Sequence, residues 1–162
     1  HNMNLKLVDP TTWEESYLNV GTTNLSYSPS CIISNSFRYE YKGLAASLRS
    51  QYVSEQYMTN SGCRYYIDAD GSHVSTMIDA YFVSDLDFSY TFKIPTFKSI
   101  TVGCTIYNIF NEEYESNGAC GLQFRSNGKG GVEAYQDSYY DSYSTYSCQA
   151  PIHFLAHLSL NF

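Results

Sequence analysis

Apolar and polar side chains alternate along several stretches of the chain, and this pattern predicts β-strands. The clearest stretch spans residues 79–92, and a second one spans residues 152–162. One face of the first stretch carries Ala80, Phe82, Leu86, Phe88, Tyr90 and Phe92, and the other carries Asp79, Asp85, Asp87, Ser89 and Thr91. Each predicted strand therefore has one apolar face and one polar face.

Further alternating runs predict more strands and the turns between them. Strands are predicted over residues 17–27, 33–41, 44–52, 79–92, 100–107 and 152–162. Only Lys42 and Gly43 separate the second strand from the third, which indicates a tight hairpin. Pro95 marks a short turn ahead of the fifth strand. The sequence thus predicts roughly six antiparallel strands.

The connections between these strands fall into two length classes. Those at residues 28–31, 42–43 and 93–97 are short, whereas those at residues 59–75 and 111–149 are long. Short periplasmic turns and long extracellular loops are typical of outer-membrane β-barrels. The strand lengths agree, because a tilted strand crosses a bilayer in about 9–11 residues.

The composition is consistent with a barrel and excludes some other classes. The chain has 17 tyrosines and 9 phenylalanines but a mean hydropathy of -0.32, as in barrels whose strands alternate between lipid and water. No run approaches the roughly 20 apolar residues of a membrane helix, so a membrane crossing would have to use strands. The formal charge of -7, with only nine lysines and arginines, disfavours nucleic-acid binding.

No catalytic constellation is found in the sequence. Asp79, Asp85 and Asp87 lie at strand spacing, but no nucleophile or catalytic motif accompanies them. We expect these carboxylates to face Arg38 or Arg49 on neighbouring strands, because opposite charges across a ladder are mildly favourable. No enzymatic activity is therefore predicted.

The sequence predicts neither a metal ion nor a cofactor. His153 and His157 are four residues apart on one strand face, about 13 Å at strand rise, which is too far to share a metal. Residues 68–71 resemble part of a calcium loop, but the closing glutamate is missing, so a polar turn is predicted. The five cysteines have no Cys-x-x-Cys spacing, and a bridge between Cys120 and Cys148 is left open.

Five stretches of the chain together resemble the C-terminal end of TonB-dependent outer-membrane receptors, in the form common among Bacteroidetes. The most specific stretch is the Asn-x-Phe-Asn-x-x-Tyr element that begins at Asn108 and is followed by residues 115–118. The five stretches, whose order and spacing match the family, are residues 25–29, 51–57, 78–86, 107–118 and 149–162.

The resemblance implies a fold, a location and a set of partners. Residues 1–162 would be an up-and-down transmembrane segment of a β-barrel of about 22 strands, located in the cell outer membrane. Such receptors take up ferric siderophores, cobalamin, haem or glycans with energy passed through TonB. The plug, the TonB box and the earlier strands are not in this sequence, so the chain would be a receptor fragment that does not transport alone. Its partners would be outer-membrane lipid, the barrel-assembly machinery, the remainder of the receptor and, through that remainder, TonB.

Two sets of residues are candidate sites. The pattern of the last predicted strand resembles the signal that the barrel-assembly machinery recognises, carried by Ile152, Phe154, Leu158, Leu160 and Phe162. In the long loop, the residues that would line an extracellular ligand mouth are Tyr135, Tyr139, Tyr140, Tyr143 and Tyr146. The plainer interpretation of that loop is a solvated surface segment with a small hairpin around residues 128–131.

Two other classes of protein remain open from the residues alone. One is a complete small outer-membrane barrel of about eight strands with a structural or adhesive role, whose extra strands would lie within residues 123–140. The other is a soluble, secreted β-sandwich that acts as a binding module.

Overall fold

The structure, a computed structural model, describes residues 2–8, 12–95, 97–126, 132–136 and 142–162, and these residues form β-strands and no helix. Accordingly, the described part of the chain holds no helix long and apolar enough to span a membrane. In chain order the strands are β1 (Asn2–Val8), β2 (Glu15–Thr22), β3 (Ile32–Tyr41), β4 (Leu44–Val53), β5 (Gln56–Tyr57), β6 (Tyr65–Ile67), β7 (His73–Ser75), β8 (Met77–Ile78), β9 (Tyr81–Ile94), β10 (Phe97–Tyr107), β11 (Glu115–Gly121), β12 (Gln123–Ser126), β13 (Val132–Tyr135), β14 (Tyr143–Cys148) and β15 (His153–Asn161).

The chain divides into two compact units, each assembled from segments that are distant in sequence. Unit 1 comprises His1–Ser30, Glu55–Asp79 and Glu115–Ser147. Unit 2 comprises Cys31–Ser54, Ala80–Tyr114 and Cys148–Phe162.

Unit 2 is a five-stranded antiparallel sheet with the strand order β15-β10-β9-β4-β3. Its strands are long and their register is regular, with one irregularity near the start of β10, between Phe97 and Ile100. The five strands correspond to the predicted ones, and their ends differ by at most three residues. The alternating pattern predicted these strands well because each has one consistently apolar face.

The short connections of unit 2 lie at one end of its strands, which we call the turn end. Lys42 and Gly43 join β3 to β4 with φ values of 45° and 89°, the left-handed pair of a type I′ hairpin. Leu44 lies opposite Tyr90, so the β9–β10 connection is at the same end. The segments 55–79 and 115–147 enter and leave the sheet at its other end. The predicted asymmetry is therefore present for the connections at residues 42–43 and 93–97. The short connection predicted at residues 28–31 lies at the opposite end, because it leads into Ile32, which pairs with Val53 at the end of β4.

Unit 1 contains short strands in several small sheets. The pairs are β1 with β2, β5 with β8 and β11 with β14, and a four-stranded sheet has the order β12-β13-β6-β7. All register pairs that are defined are antiparallel except that of β13 with β6, which meet at Tyr135 and Ile67. The predicted loops at residues 59–75 and 111–149 thus carry strands. A hairpin of β12 and β13 flanks residues 127–131, which lie outside the described residues.

Two fold expectations need correction. The strand predicted over residues 17–27 is β2, which ends at Thr22 and pairs with β1, so the sheet of unit 2 has five of the predicted strands rather than six. The expectation of an all-β, antiparallel architecture is confirmed, but the described residues do not form a closed barrel. Strands β3 and β15 instead form the two edges of an open sheet.

Candidate functional site

The register of unit 2 brings apolar side chains of all five strands into rows across one face of the sheet. One complete row contains Tyr41, Leu44, Tyr90, Val102 and Leu158. All five of these side chains are exposed. We call this side the apolar face. An exposed apolar surface that continues over five strands marks a surface that contacts something other than water.

Aromatic rings lie at both ends of the apolar face and also between them. At the turn end, the Tyr90 and Phe92 rings meet edge to face with centroids 4.7 Å apart. At the other end, Phe82 stacks on Phe110 at 6.4 Å. Between the two ends, Leu86 on β9 lies opposite Leu48 and Ile106, and Phe88 follows it on the same face.

The opposite side of the sheet, the polar face, carries paired charges and hydroxyls. The Arg49 guanidinium lies 4.0 Å from the Asp85 carboxylate on the neighbouring strand, as predicted. The carboxylate of Asp87 accepts a 2.7 Å hydrogen bond from the Thr105 hydroxyl. Arg38 pairs instead with Glu40 on its own strand. These side chains thus pair with one another across or along the strands.

Asp79 does not join the aspartates of the polar face. It precedes β9 and belongs to unit 1, whereas Asp85 and Asp87 belong to unit 2. The prediction that all three share one strand face is therefore wrong for Asp79, because the regular strand starts only at Tyr81.

The two histidines of β15 are on the polar face. The His153 ring stacks on Tyr107 at a centroid distance of 4.9 Å, and the His157 ring lies against Gly103. A side chain at position 103 would collide with that ring, so the glycine makes room for it. Both rings thus pack across the β10–β15 pair, and the described residues contain no group of side chains that would hold a metal ion.

The residues of the predicted assembly signal are exposed along the edge of the sheet. Phe154, Leu158 and Leu160 project from β15 onto the apolar face, and Ile152 and Phe162 flank that strand. Phe154 is 76% exposed and Phe162 is 79% exposed. Strand β15 pairs with β10 on one side only within the described part of the chain. Recognition of these residues by assembly machinery stays a prediction.

A hydrogen-bonded clamp centred on Asn108 joins the two ends of the long segment between β10 and β15. Asn108 is 3% exposed and has a φ of 51°, a left-handed conformation that asparagine tolerates better than most residues. Its side-chain amide donates to the carbonyls of Glu112 (2.9 Å) and Ala150 (3.3 Å), and its side-chain oxygen accepts the Glu112 N–H at 2.9 Å.

Asn111 extends this clamp toward the start of β15. Its side-chain oxygen accepts the backbone N–H of Ile152 at 2.9 Å. Nearby, the backbone N–H of Gln149 donates to the carbonyl of Tyr114 at 2.9 Å. The sequence indicated the Asn108 element only as a family resemblance. It did not predict the hydrogen bonds that Asn108 makes with Glu112 and Ala150. The clamp joins the end of β10 to the segment just ahead of β15.

The predicted ligand-mouth tyrosines that are described make separate contacts within unit 1. Tyr135 on β13 lies under the Arg125 guanidinium, 4.9 Å from the ring centroid. Tyr146 donates a 2.8 Å hydrogen bond to the carbonyl of Ser75, and Tyr143 packs over Gly121. Tyr139 and Tyr140 lie outside the described residues. The contacts found are those of tyrosines that stabilise the unit, and a ligand-binding role stays a prediction.

The turn at residues 68–72 is stabilised by its own hydrogen bonds. The Asp70 carboxylate accepts the backbone N–H of Ser72 at 2.8 Å, and Asp68 accepts that of Ala69 at 2.7 Å. The hydrogen bonds from Ser72 lower the pKa of the Asp70 carboxyl. This arrangement agrees with the predicted polar turn.

An exposed ion pair connects the start of the second segment of unit 1 to the loop before β6. Arg64 donates two parallel hydrogen bonds to the Glu55 carboxylate, at 2.8 and 2.6 Å. These bonds lower the pKa of the Glu55 carboxyl and raise that of the guanidinium. The Arg64 guanidinium also lies 5.9 Å from the centroid of the Tyr57 ring.

All five cysteines are free thiols. The Thr145 hydroxyl on β14 donates a hydrogen bond to the carbonyl of Ala119 on the paired strand β11, so Cys120 lies beside Ser144, and Cys148 lies four residues beyond Ser144 on β14. Four residues of strand span about 13 Å, whereas a disulfide needs Cα atoms within about 7 Å. The bridge left open between Cys120 and Cys148 is therefore incompatible with this strand pairing.

Comparison of the chain with protein-family models, with curated proteins and with solved structures found no significant match.

Proposed function

We propose that the sheet of unit 2 is part of the wall of an outer-membrane β-barrel, and that the barrel is that of a TonB-dependent receptor for energy-coupled ligand uptake. The observation that carries this proposal is the two-faced sheet. Its apolar face is exposed on every strand, and its polar face carries charge pairs such as Arg49 with Asp85. Lipid on one side and a water-filled lumen on the other side explain both faces.

The dimensions of the apolar face support a bilayer as its environment. Phe82 and Phe92 are the first and last aromatic residues of β9 on the apolar face, and they are ten residues apart. Ten residues of antiparallel strand span about 34 Å. At a barrel tilt of about 40° this corresponds to a height of about 26 Å, close to the apolar band of outer-membrane barrels.

The two edges of the sheet support a larger barrel. Strand β3 has ten residues and β15 has nine, and each pairs on one side only within the described residues. In lipid, an unpaired backbone group costs several kcal/mol, so such edges must pair with further strands. The earlier strands of the receptor would supply these partners, and the assembly machinery would act on the exposed β15.

The connections support an orientation of the sheet in the membrane. The turn end, with Lys42 and Gly43, would face the periplasm, and the segments of unit 1 would leave the sheet on the extracellular side. The sequence resemblance of the Asn108 element and its neighbours is our reason to favour TonB-dependent receptors among outer-membrane barrels. The ligand class within that family, siderophore, cobalamin, haem or glycan, would depend on the plug and on loops outside this chain.

Two experiments test this proposal together. One determines the coding sequence upstream of His1, and the other locates the protein in cell fractions. We expect one continuous reading frame that encodes a plug domain and a TonB box, and a product found in the outer-membrane fraction after density-gradient separation. A start codon and leader directly ahead of His1 would contradict the receptor assignment. Recovery of the product as a monodisperse protein in the aqueous fraction would contradict the barrel.

A further inference from the structure

Three exposed lysines lie at the turn end of unit 2. Lys42 is in the β3–β4 hairpin turn. Ile94 at the end of β9 pairs with Phe97 at the start of β10, and Lys93 and Lys98 directly flank that pair. We call Lys42, Lys93 and Lys98 the lysine rim. The β3–β4 and β9–β10 connections thus bring three positive charges to one end of the sheet.

The lysine rim differs from the other basic residues of the chain in its lack of a carboxylate partner. Within the described residues no ion pair involves a rim lysine, whereas every other described lysine and arginine forms one. Those pairs are Lys6 with Glu15, Arg38 with Glu40, Arg49 with Asp85, Arg64 with Glu55 and Arg125 with Glu133. At the turn end, residues 41–44, 90–95, 97–101 and 158–162 include no aspartate or glutamate. The rim is therefore a positive patch, even with the terminal carboxylate of Phe162 counted, on a chain whose formal charge is -7.

The lysine rim is continuous with the apolar face. The Lys42 ammonium lies 5.2 Å from the centroid of the Tyr41 ring, which belongs to the exposed apolar row that crosses all five strands. Phe92 and Ile94, on either side of Lys93 in β9, are also exposed. Lysine lays its methylene stem along such a surface and keeps its ammonium in water. This arrangement suits the boundary between the apolar interior of a bilayer and its headgroups.

We propose that the lysine rim binds the phosphate groups of anionic phospholipids at the bilayer surface. The inference rests on the proposed barrel wall, because lipid must cover the apolar face before its headgroups can reach the rim. Near an anionic bilayer surface, each lysine strengthens association about fivefold. An acidic protein segment would match the same charge, but the continuity of the rim with the apolar face favours lipid.

The test is flotation of the full chain, diluted from urea, with two kinds of lipid vesicle. One kind contains phosphatidylcholine alone, and the other also contains phosphatidylglycerol. We expect association with both, and association at least about tenfold stronger with the anionic vesicles at low salt. Without the rim, a chain of net charge -7 should be repelled by anionic lipid. The excess should disappear in about 1 M salt, where charges are screened beyond about 3 Å.

Two triple variants show whether the rim itself is responsible. The rim variant combines Lys42→Gln, Lys93→Gln and Lys98→Gln, and it should lose the preference for anionic vesicles. The control removes the same charge from exposed, paired positions by combining Lys6→Gln, Arg38→Gln and Arg125→Gln, and it should keep most of that preference.

The outcomes separate this inference from the proposed function. Equal association of the wild type with both kinds of vesicle, or equal loss in the two variants, would overturn the lipid inference and point to an acidic protein segment, while the barrel wall would stand. Failure to associate with either kind of vesicle would contradict both the inference and the proposed function.

Discussion

Units 1 and 2 are both all-β, but all of the described buried apolar side chains except Val53 belong to unit 1. Ile78 on the two-residue strand β8 of unit 1 is fully buried, although Trp13 and Tyr17 of the same unit are exposed. In unit 2 most of the large apolar side chains are exposed, as Leu158 and Phe154 are along β15. Under the proposed function, lipid would cover the apolar face of unit 2. The two units thus differ in whether the chain itself buries their apolar side chains.

The largest effect that would separate the units is a charge on the apolar face. Phe88→Arg, near the middle of β9, should cost about 2–4 kcal/mol in a bilayer, because an arginine at the midplane loses its hydration. The adjacent Ser89→Arg, on the polar face, should cost much less. The measurement is the amount of protein inserted in the outer membrane, or the urea midpoint in lipid vesicles. Equal losses for the two variants would remove the distinction between the faces.

The clamp at the end of β10 should give the next largest effect. Asn108→Ala removes the side-chain amide that makes three hydrogen bonds with the backbone of Glu112 and Ala150. Such losses cost about 1–3 kcal/mol, and alanine is also less stable than asparagine at a φ of 51°. Unfolding in denaturant should show the change.

Asn111→Ala is the matched control for that variant. It removes one hydrogen bond, to the Ile152 N–H, and should cost about 1 kcal/mol. If both variants lose the same stability, the clamp is not centred on Asn108. A variant of the exposed Asn117 in unit 1 should leave unit 2 unchanged.

Glycine substitutions offer a comparison with one site in each unit. Gly43→Ala places a methyl group 2.7 Å from the Thr91 carbonyl oxygen at a φ of 89°, and should cost about 1–3 kcal/mol and loosen the β3–β4 hairpin of unit 2. Gly118→Ala places one 2.5 Å from the Thr145 carbonyl oxygen and should separate β11 from β14 in unit 1. Hydrogen exchange resolved by peptide should show each change within its own unit. Loss of protection in both units from either variant would mean that they unfold together.

The sequence predicted unit 2 far better than unit 1, for a physical reason. Strands of nine or more residues with one apolar face show a clear period of two, so β3, β4, β9 and β15 were identified close to their observed ends. In unit 1, by contrast, Gln56 pairs with Ile78 and Tyr135 with Ile67, across long stretches of chain. Strands of two to four residues show too few alternations to be recognised.

The candidate sites divide in the same way. The apolar positions of β15 were identified from the pattern, whereas the clamp was not, because Asn108 binds a carbonyl 42 residues away. Residue type offered one usable signal. Asn108 and Asn111 follow β10, and asparagine tolerates the left-handed conformation that both residues adopt. Within unit 1, the tyrosines were grouped by composition, but their partners, such as Ser75 for Tyr146, depend on tertiary structure.

The smallest expected effect concerns the exposed ion pair of unit 1. Arg64 lowers the pKa of the Glu55 carboxyl below its ordinary value of 4.5, so the pair stabilises the folded state fully above that pH. The contribution is lost as the pH falls through the lower pKa of the folded state. Because both side chains are exposed, the loss should be small and should shrink in high salt.

The Glu55→Gln variant isolates this contribution. In this variant the free energy of unfolding of unit 1 should fall less steeply as the pH is lowered. Near neutral pH it should be only slightly reduced, since glutamine keeps one acceptor for Arg64. Denaturant unfolding followed by tyrosine fluorescence at a series of acidic pH values measures the slope. Unit 2 should be unaffected, because the pair lies within unit 1. If the free energy of unfolding of Glu55→Gln falls as steeply with decreasing pH as that of the wild type, other carboxylates, such as Asp70, control the acid sensitivity of unit 1.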